Sequence, residues 1–112
     1  MQTVVETPSY LRAAEAIFTE AEREGIVVMV AANPERGEVI AGTGSFRKVR
    51  VARGGMGKRG GARLIYIWRN EAFPVFLVTV YAKNEKENLS KKERNELAKR
   101  ADEIFAKYRS KP

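Results

Sequence analysis

The chain has 112 residues, 44% of them hydrophobic, which is enough for one domain with one core and too few for two. Lys and Arg number 21 against 14 Asp and Glu, and the resulting charge of +7 favours a polyanionic partner. The absence of Cys and His excludes disulfides, thiolate metal sites and histidine-based acid–base chemistry. No apolar run approaches the length of a membrane span, so we expect a soluble, cytoplasmic protein.

The N-terminal part predicts a short strand and one or two helices. Residues 2–6 alternate as in an edge strand, and residues 10–21 carry apolar side chains at the spacing of one helical stripe. Thr19 and Glu22 form a possible capping box for a second helix. Residues 26–32 are rich in β-branched side chains and fit either that helix or a buried strand.

Three β-prone runs follow in the C-terminal part. Residues 46–52 and 62–68 flank a glycine-rich loop at residues 54–61, an arrangement typical of a hairpin. The third run, residues 73–81, is apolar on both faces, as a central strand would be.

A last amphipathic helix should begin near Ser90, which forms a second capping box with Glu93. Its apolar stripe runs from Leu97 to Tyr108. The predicted fold class is α+β, with one domain over residues 1–112. It combines a short N-terminal strand, three antiparallel strands that include a basic hairpin, and helices packed on one face of the sheet.

The hairpin carries the strongest functional signal in the chain. Residues 39–70 contain eight Lys or Arg, seven of the nine glycines and no Asp or Glu. Strand alternation puts Lys48 and Arg50 on one face, about 7 Å apart, while Val49 and Val51 point to the other. A solvated sheet face would normally mix Glu among the cations. The pattern therefore favours nucleic-acid binding over a purely solubilising role.

The glycine-rich loop is not a nucleotide-binding phosphate loop. It lacks the four-residue spacer and the Ser or Thr after Lys58, and it leads into a strand instead of a helix. We expect Lys58 and Arg59, at a flexible tip, to contact a phosphate backbone. The alternative is a mobile loop with no binding role.

Aromatic side chains near the basic strands could stack on unpaired bases. Tyr66 and Trp68 fit a core position better. Tyr81 ends its strand just before Lys83 and Lys86, which makes it the better candidate for the surface.

Three segments of the chain together form a specific pattern. They are NPERG (33–37) with VIAGTG (39–44), RKVRVAR (47–53) with GKRGGARLIY (57–66), and VYAKNEK (80–86). In combination they resemble the RelE/HigB family of bacterial toxin–antitoxin systems, most closely its HigB-like branch, over about residues 8–105. The resemblance implies a small basic toxin of compact α/β fold that cleaves messenger RNA on the ribosome, and a cognate antitoxin of the helix-turn-helix type.

The resemblance also implies site residues. The expected catalytic set is Lys48, Arg50, Arg63, Tyr81 and Lys83, with Lys86 as the alternative to Tyr81. The basic charge of the hairpin and of the segment after the last strand, and not the resemblance, gives the expected RNA-binding set, which is Arg47, Arg53, Lys58, Arg59 and Lys86. We expect Arg50 and Arg63 to be exposed and to face the scissile phosphate.

The chemistry of such a site needs no metal and no cofactor, because the 2′-OH of RNA can attack the adjacent phosphate while guanidinium groups stabilise the developing charge. A Lys or Tyr among several cations, with no acidic neighbour, would have a lowered pKa and could act as the base.

Two other classes of function use the same basic face. One is a non-catalytic RNA- or ribosome-binding protein, which would leave translated message intact. The other is an interaction module for an acidic protein, which would not bind ribosomes in the salt-dependent manner that phosphate contacts produce.

Overall fold

The secondary structure follows the capping and alternation signals of the sequence. The computed structural model describes residues 1–53, 57–83 and 88–109, without the side chains of residues 53, 57–60 and 109. The elements in chain order are β1 (Val4–Glu6), α1 (Pro8–Glu15), α2 (Glu20–Ala32), β2 (Glu38–Val39), β3 (Phe46–Arg53), β4 (Gly57–Ile67), β5 (Val75–Ala82) and α3 (Lys91–Arg109). Among the residues described, no helix is both long and apolar enough to cross a membrane.

Residues 26–32, which fit a helix or a strand, belong to α2. The helix begins at a complete capping box: the Thr19 amide donates to the Glu22 carboxylate at 2.8 Å, and the Glu22 amide donates to the Thr19 hydroxyl at 3.1 Å. This cap satisfies backbone donors that would otherwise lack partners and stabilises the first turn. Ile26 and Val30, one helical turn apart, are buried on the same side. The cap and this tertiary contact outweigh the β-branched composition.

The three predicted antiparallel strands form the middle of a five-stranded mixed sheet with the order β1-β5-β4-β3-β2. The N-terminal strand β1 runs parallel to β5 at one edge. The short β2 pairs antiparallel with β3 at the other edge and was not predicted. The central position of β5 agrees with its sequence, because all its side chains except Thr79 are buried.

Helices cover both faces of the sheet, so the prediction that they pack on one face is wrong. On one face, α1 and α2 pack on a cluster that includes Leu64 and Tyr66. On the other face, α3 packs on a cluster that includes Ile65 and Ile67. Because apolar residues occupy both alternating sets in β4, each face needs its own cover.

The predicted glycine loop is shorter than expected. The structure starts β4 at Gly57, whose backbone pairs with Arg53 across the hairpin. Lys58 and Arg59 therefore belong to the strand backbone instead of a loop tip. Residues 54–56 lie outside the described part of the chain.

Candidate active site

One row of side chains across the central strands defines the site. In the antiparallel registers Arg50 of β3 lies opposite Arg63 of β4, and Arg63 lies opposite Tyr81 of β5. Lys48 stands two residues from Arg50, so it points to the same face. This is the face that α3 covers further along the sheet, over Phe46 and its neighbours. The sheet register thus gathers the cations where the cover of α3 ends.

These cations surround an open cleft of about 410 Å³. Four of the five predicted catalytic residues line it, namely Lys48, Arg50, Arg63 and Lys83. The full lining consists of Arg36, Glu38, Lys48, Val49, Arg50, Arg63, Lys83 and Asn88. Among these described lining residues, five cations face a single carboxylate. Such an excess of positive charge in a concave site concentrates anionic ligands.

Arg63 is the most unusual of these cations because it is buried. The expectation that it is exposed is wrong: only 8% of the residue is accessible. Its Nη1 atom is buried without a hydrogen-bond partner in the part of the chain that the structure describes. A buried charged donor without an acceptor is energetically unfavourable. An anion bound in the cleft would give such a donor an acceptor.

Tyr81 is buried and does not line the cleft, so its predicted surface position is wrong. It is 7% exposed and belongs to the cluster beneath α3. Burial raises the pKa of its hydroxyl, and Glu93 adds to this effect, although Arg63 opposes it. The lowered pKa expected from the surrounding cations is therefore wrong, since desolvation is the largest influence. A protonated hydroxyl suits a hydrogen-bond donor better than a general base.

Arg47 is not part of the cleft. It lies opposite Tyr66 on the other face of the β3–β4 pair. Its Nη1 donates to the backbone carbonyls of Gly37 at 2.8 Å and Glu35 at 3.2 Å. These bonds turn the guanidinium towards the protein, which argues against the predicted RNA contact.

Four further residues were predicted to bind RNA. The side chains of Arg53, Lys58 and Arg59, and the whole of Lys86, lie outside the described residues. Their role stays a prediction.

Three residues of the cleft escaped the sequence analysis: Arg36, Glu38 and Asn88. Glu38 contradicts the expectation of no acidic neighbour, because β2 pairs it directly with Lys48. A two-residue strand gives no alternation signal. The sequence signal that could have revealed β2 was the pair Gly42 and Gly44 shortly after it. In the structure both glycines adopt positive φ angles, of 78° and 72°. Such a turn between two extended segments is typical of a hairpin.

Within the described residues, no group of three or more Asp or Glu side chains is arranged to hold a metal ion.

A sequence model described as "RelE toxin of RelE / RelB toxin-antitoxin system" matches residues 18–111, so the chain belongs to the RelE toxin family. The family-level resemblance is thus confirmed, while the HigB-like branch stays a prediction. Membership of a toxin–antitoxin family implies an antitoxin partner.

A solved structure supports the fold. A mutant of E. coli toxin RelE with two arginines replaced by alanine, in the free state, is similar to this chain with a TM-score of 0.55 and 21% sequence identity. The match covers 77% of this chain and 87% of that chain. At this identity the similarity concerns the fold alone.

Proposed function

We propose that this protein is the toxin of a type II toxin–antitoxin system and that it inhibits translation as a ribosome-dependent, metal-independent endoribonuclease. The observation that carries the proposal is the meeting of Lys48, Arg50, Arg63 and Lys83 in one cleft, with a buried guanidinium nitrogen of Arg63 that lacks a partner among the described residues. A phosphate group of messenger RNA would supply the missing acceptor.

The proposed reaction begins when the 2′-oxygen of one nucleotide attacks the adjacent phosphorus. The bond from phosphorus to the 5′-oxygen breaks, and a 2′,3′-cyclic phosphate forms. Negative charge increases on the phosphoryl oxygens in the transition state. Arg50 and Arg63, opposite one another on neighbouring strands, would provide donors for these oxygens. Because the sheet holds the two strands in register, little reorganisation is required during the reaction.

Two protons must move in this reaction. The 2′-OH loses one to a base, and the departing 5′-oxygen receives one from an acid. Glu38 and Lys48 are neighbours across β2 and β3, and both line the cleft together with Lys83. A carboxylate can accept a proton at neutral pH, whereas an ammonium group can donate one. Glu38 as base and Lys48 or Lys83 as acid is therefore the assignment that fits these groups.

The biological context follows from the same proposal. The substrate would be message on translating ribosomes, in the cytoplasm. A cognate antitoxin, of the helix-turn-helix type, would neutralise the toxin.

The test combines expression and product analysis. Induction without an antitoxin should arrest growth, and primer extension should reveal new 5′ ends within coding regions. Purified protein with programmed ribosomes should leave a 2′,3′-cyclic phosphate or a 3′-phosphate. Ribosome binding with intact message would instead identify a non-catalytic binding protein, and products with a 3′-OH and a 5′-phosphate would indicate metal-activated water and refute the mechanism.

A further inference from the structure

The turn that precedes β2 is held by an unusual set of hydrogen bonds. Tyr66, fully buried in the middle of β4, donates from its hydroxyl to the Pro34 carbonyl at 2.7 Å. The same hydroxyl accepts the backbone N–H of Gly37 at 2.8 Å. One side chain therefore binds the turn at two points that are three residues apart.

Arg47 completes this arrangement from the facing strand. It is the register partner of Tyr66, and its bond to the Gly37 carbonyl is 2.8 Å long. Both backbone polar groups of Gly37 are therefore bound by side chains of one β3–β4 pair. Space is limited as well, because a Cβ at position 37 would lie 2.8 Å from the Lys48 carbonyl oxygen and 2.9 Å from the Tyr66 hydroxyl. The hydrogen bonds and the close approach together restrict the backbone of Gly37 to this position against β3 and β4.

Gly37 lies between Arg36 and Glu38, and the side chains of both line the cleft. Holding the backbone of Gly37 in place also holds the Cα atoms from which the Arg36 and Glu38 side chains extend. Each is exposed, so packing alone does not hold it in the cleft. The hydrogen bonds to Gly37, together with the pairing of Glu38 with Lys48 between β2 and β3, connect this wall of the cleft to the sheet.

Tyr10 shows that a buried tyrosine in this core does not need such bonds. It is also fully buried in the cluster beneath α1 and α2, yet its hydroxyl has no hydrogen-bond partner within the described part of the chain. At position 10 the aromatic ring is buried without such bonds. The hydroxyl of Tyr66 therefore has a role beyond filling the core, which is to bind the turn at residues 34–37.

We propose that Tyr66 is a positioning residue, which acts with Arg47 through Gly37 to hold Arg36 and Glu38 in the cleft. The inference rests on the proposed nuclease function for its kinetic consequence. Misplacement of a catalytic group by about 1 Å can reduce a rate by on the order of 10²-fold. We call the hydrogen bonds from Tyr66 and Arg47 to Gly37 the clamp. Loss of the clamp should slow the chemical step more than it weakens ribosome binding.

The experiment compares Tyr66→Phe with Tyr10→Phe, since each variant removes one buried hydroxyl from the same core. Hydrogen exchange should be faster at the Gly37 amide in Tyr66→Phe and unchanged in Tyr10→Phe. Single-turnover cleavage at saturating ribosomes should fall by roughly 10- to 10²-fold in Tyr66→Phe only. Ribosome affinity should stay within a few-fold of the parent in both.

Arg47→Met provides a second arm, because this partly exposed residue can be changed without opening the core. It should slow cleavage in the same direction with the fold intact. Equal cleavage rates in the parent, Tyr66→Phe and Arg47→Met would overturn the inference, as would slow cleavage by Tyr66→Phe with unchanged exchange at Gly37. If Tyr66→Phe does not fold, an unaltered rate in Arg47→Met overturns it and a reduced rate supports it. An inactive parent would instead remove the proposed function, and the exchange at Gly37 would still report on the clamp.

Discussion

Replacement of Arg63 by methionine should make the protein more stable and less active. Methionine keeps most of the length of the arginine stem but removes the charge. Arg63 is 8% exposed, and its Nη1 is buried without a partner among the described residues. It also stands directly opposite Arg50, a like charge. Both features oppose folding, and in the proposed mechanism both place positive charge next to the phosphate.

The expected gain in stability follows from the unsatisfied donor and the like charge. An unsatisfied buried donor costs about 1–3 kcal/mol, and like charges directly opposite across two strands cost roughly a few tenths to 1 kcal/mol. Removal of both costs stabilises the protein, and the loss of some stem packing offsets part of the gain. The free energy of unfolding of Arg63→Met should therefore rise by about 1–3 kcal/mol. In a domain of this size each kcal/mol raises Tm by about 4 °C. Cleavage should fall by about 10²–10³-fold, as for removal of one donor to a transition-state oxyanion.

The assay pairs denaturant unfolding with single-turnover cleavage at saturating ribosomes. Arg12→Met is the matched control, because Arg12 is exposed on α1 and its replacement removes the same charge. The control should change stability by no more than about 0.5 kcal/mol and leave the rate unaltered. A clear loss of stability in Arg63→Met would show that Arg63 is structural. A rate within threefold of the parent would remove it from the site.

Three further predictions concern the turn, the hairpin and the core. Gly37→Ala should destabilise the protein by about 1–3 kcal/mol in denaturant unfolding, because the new Cβ would meet a strand carbonyl at 2.8 Å and a tyrosine hydroxyl at 2.9 Å. Gly25→Ala, inside α2, should stabilise it by about 0.5–1 kcal/mol, because among the described residues no atom beyond the adjoining residues and the nearby helix backbone lies within 4 Å of the new Cβ. The opposite order would contradict the described turn. Replacing Lys58 and Arg59 together by Ala should flatten the log–log salt dependence of ribosome binding by up to about two units. A large loss of single-turnover rate at saturation would instead put these residues in the active site. Burial raises the pKa of Tyr10 from 10.0 to about 12, so the folded chain keeps this proton after the unfolded chain has lost it. Stability should therefore decrease from about pH 10 towards pH 12, by at most about 1.4 kcal/mol per pH unit, and Tyr10→Phe should show a shallower decrease in alkaline unfolding curves.

The sequence alone determined the features that depend on local chemistry. The capping residues Thr19 and Glu22 defined the start of α2, and alternation in β3 put Lys48 and Arg50 on one face. The concentration of cations without carboxylates in residues 39–70 indicated a basic hairpin. These signals are visible because caps and alternation act over a few residues.

Burial was decided by tertiary packing. Whether Arg63 and Tyr81 are exposed depends on packing between elements that are distant in the sequence, and no local pattern fixes that packing. For Tyr81 the outcome reverses the sign of the expected pKa shift, since desolvation outweighs the nearby cation. The second covered face of the sheet has the same origin, because a sequence pattern shows that a face is apolar but not which helix covers it.

The composition of the cleft depended on contacts between distant parts of the chain. Glu38 reaches it through a two-residue strand that forms only when β3 is present as a partner. Gly37 is held by Tyr66, which is 29 residues away in the sequence. A hydrogen bond over that separation has no signature in either segment. The sequence therefore determined which residues carry the charge, and the tertiary structure decided which of them meet, because long-range register and burial exist only in the folded chain.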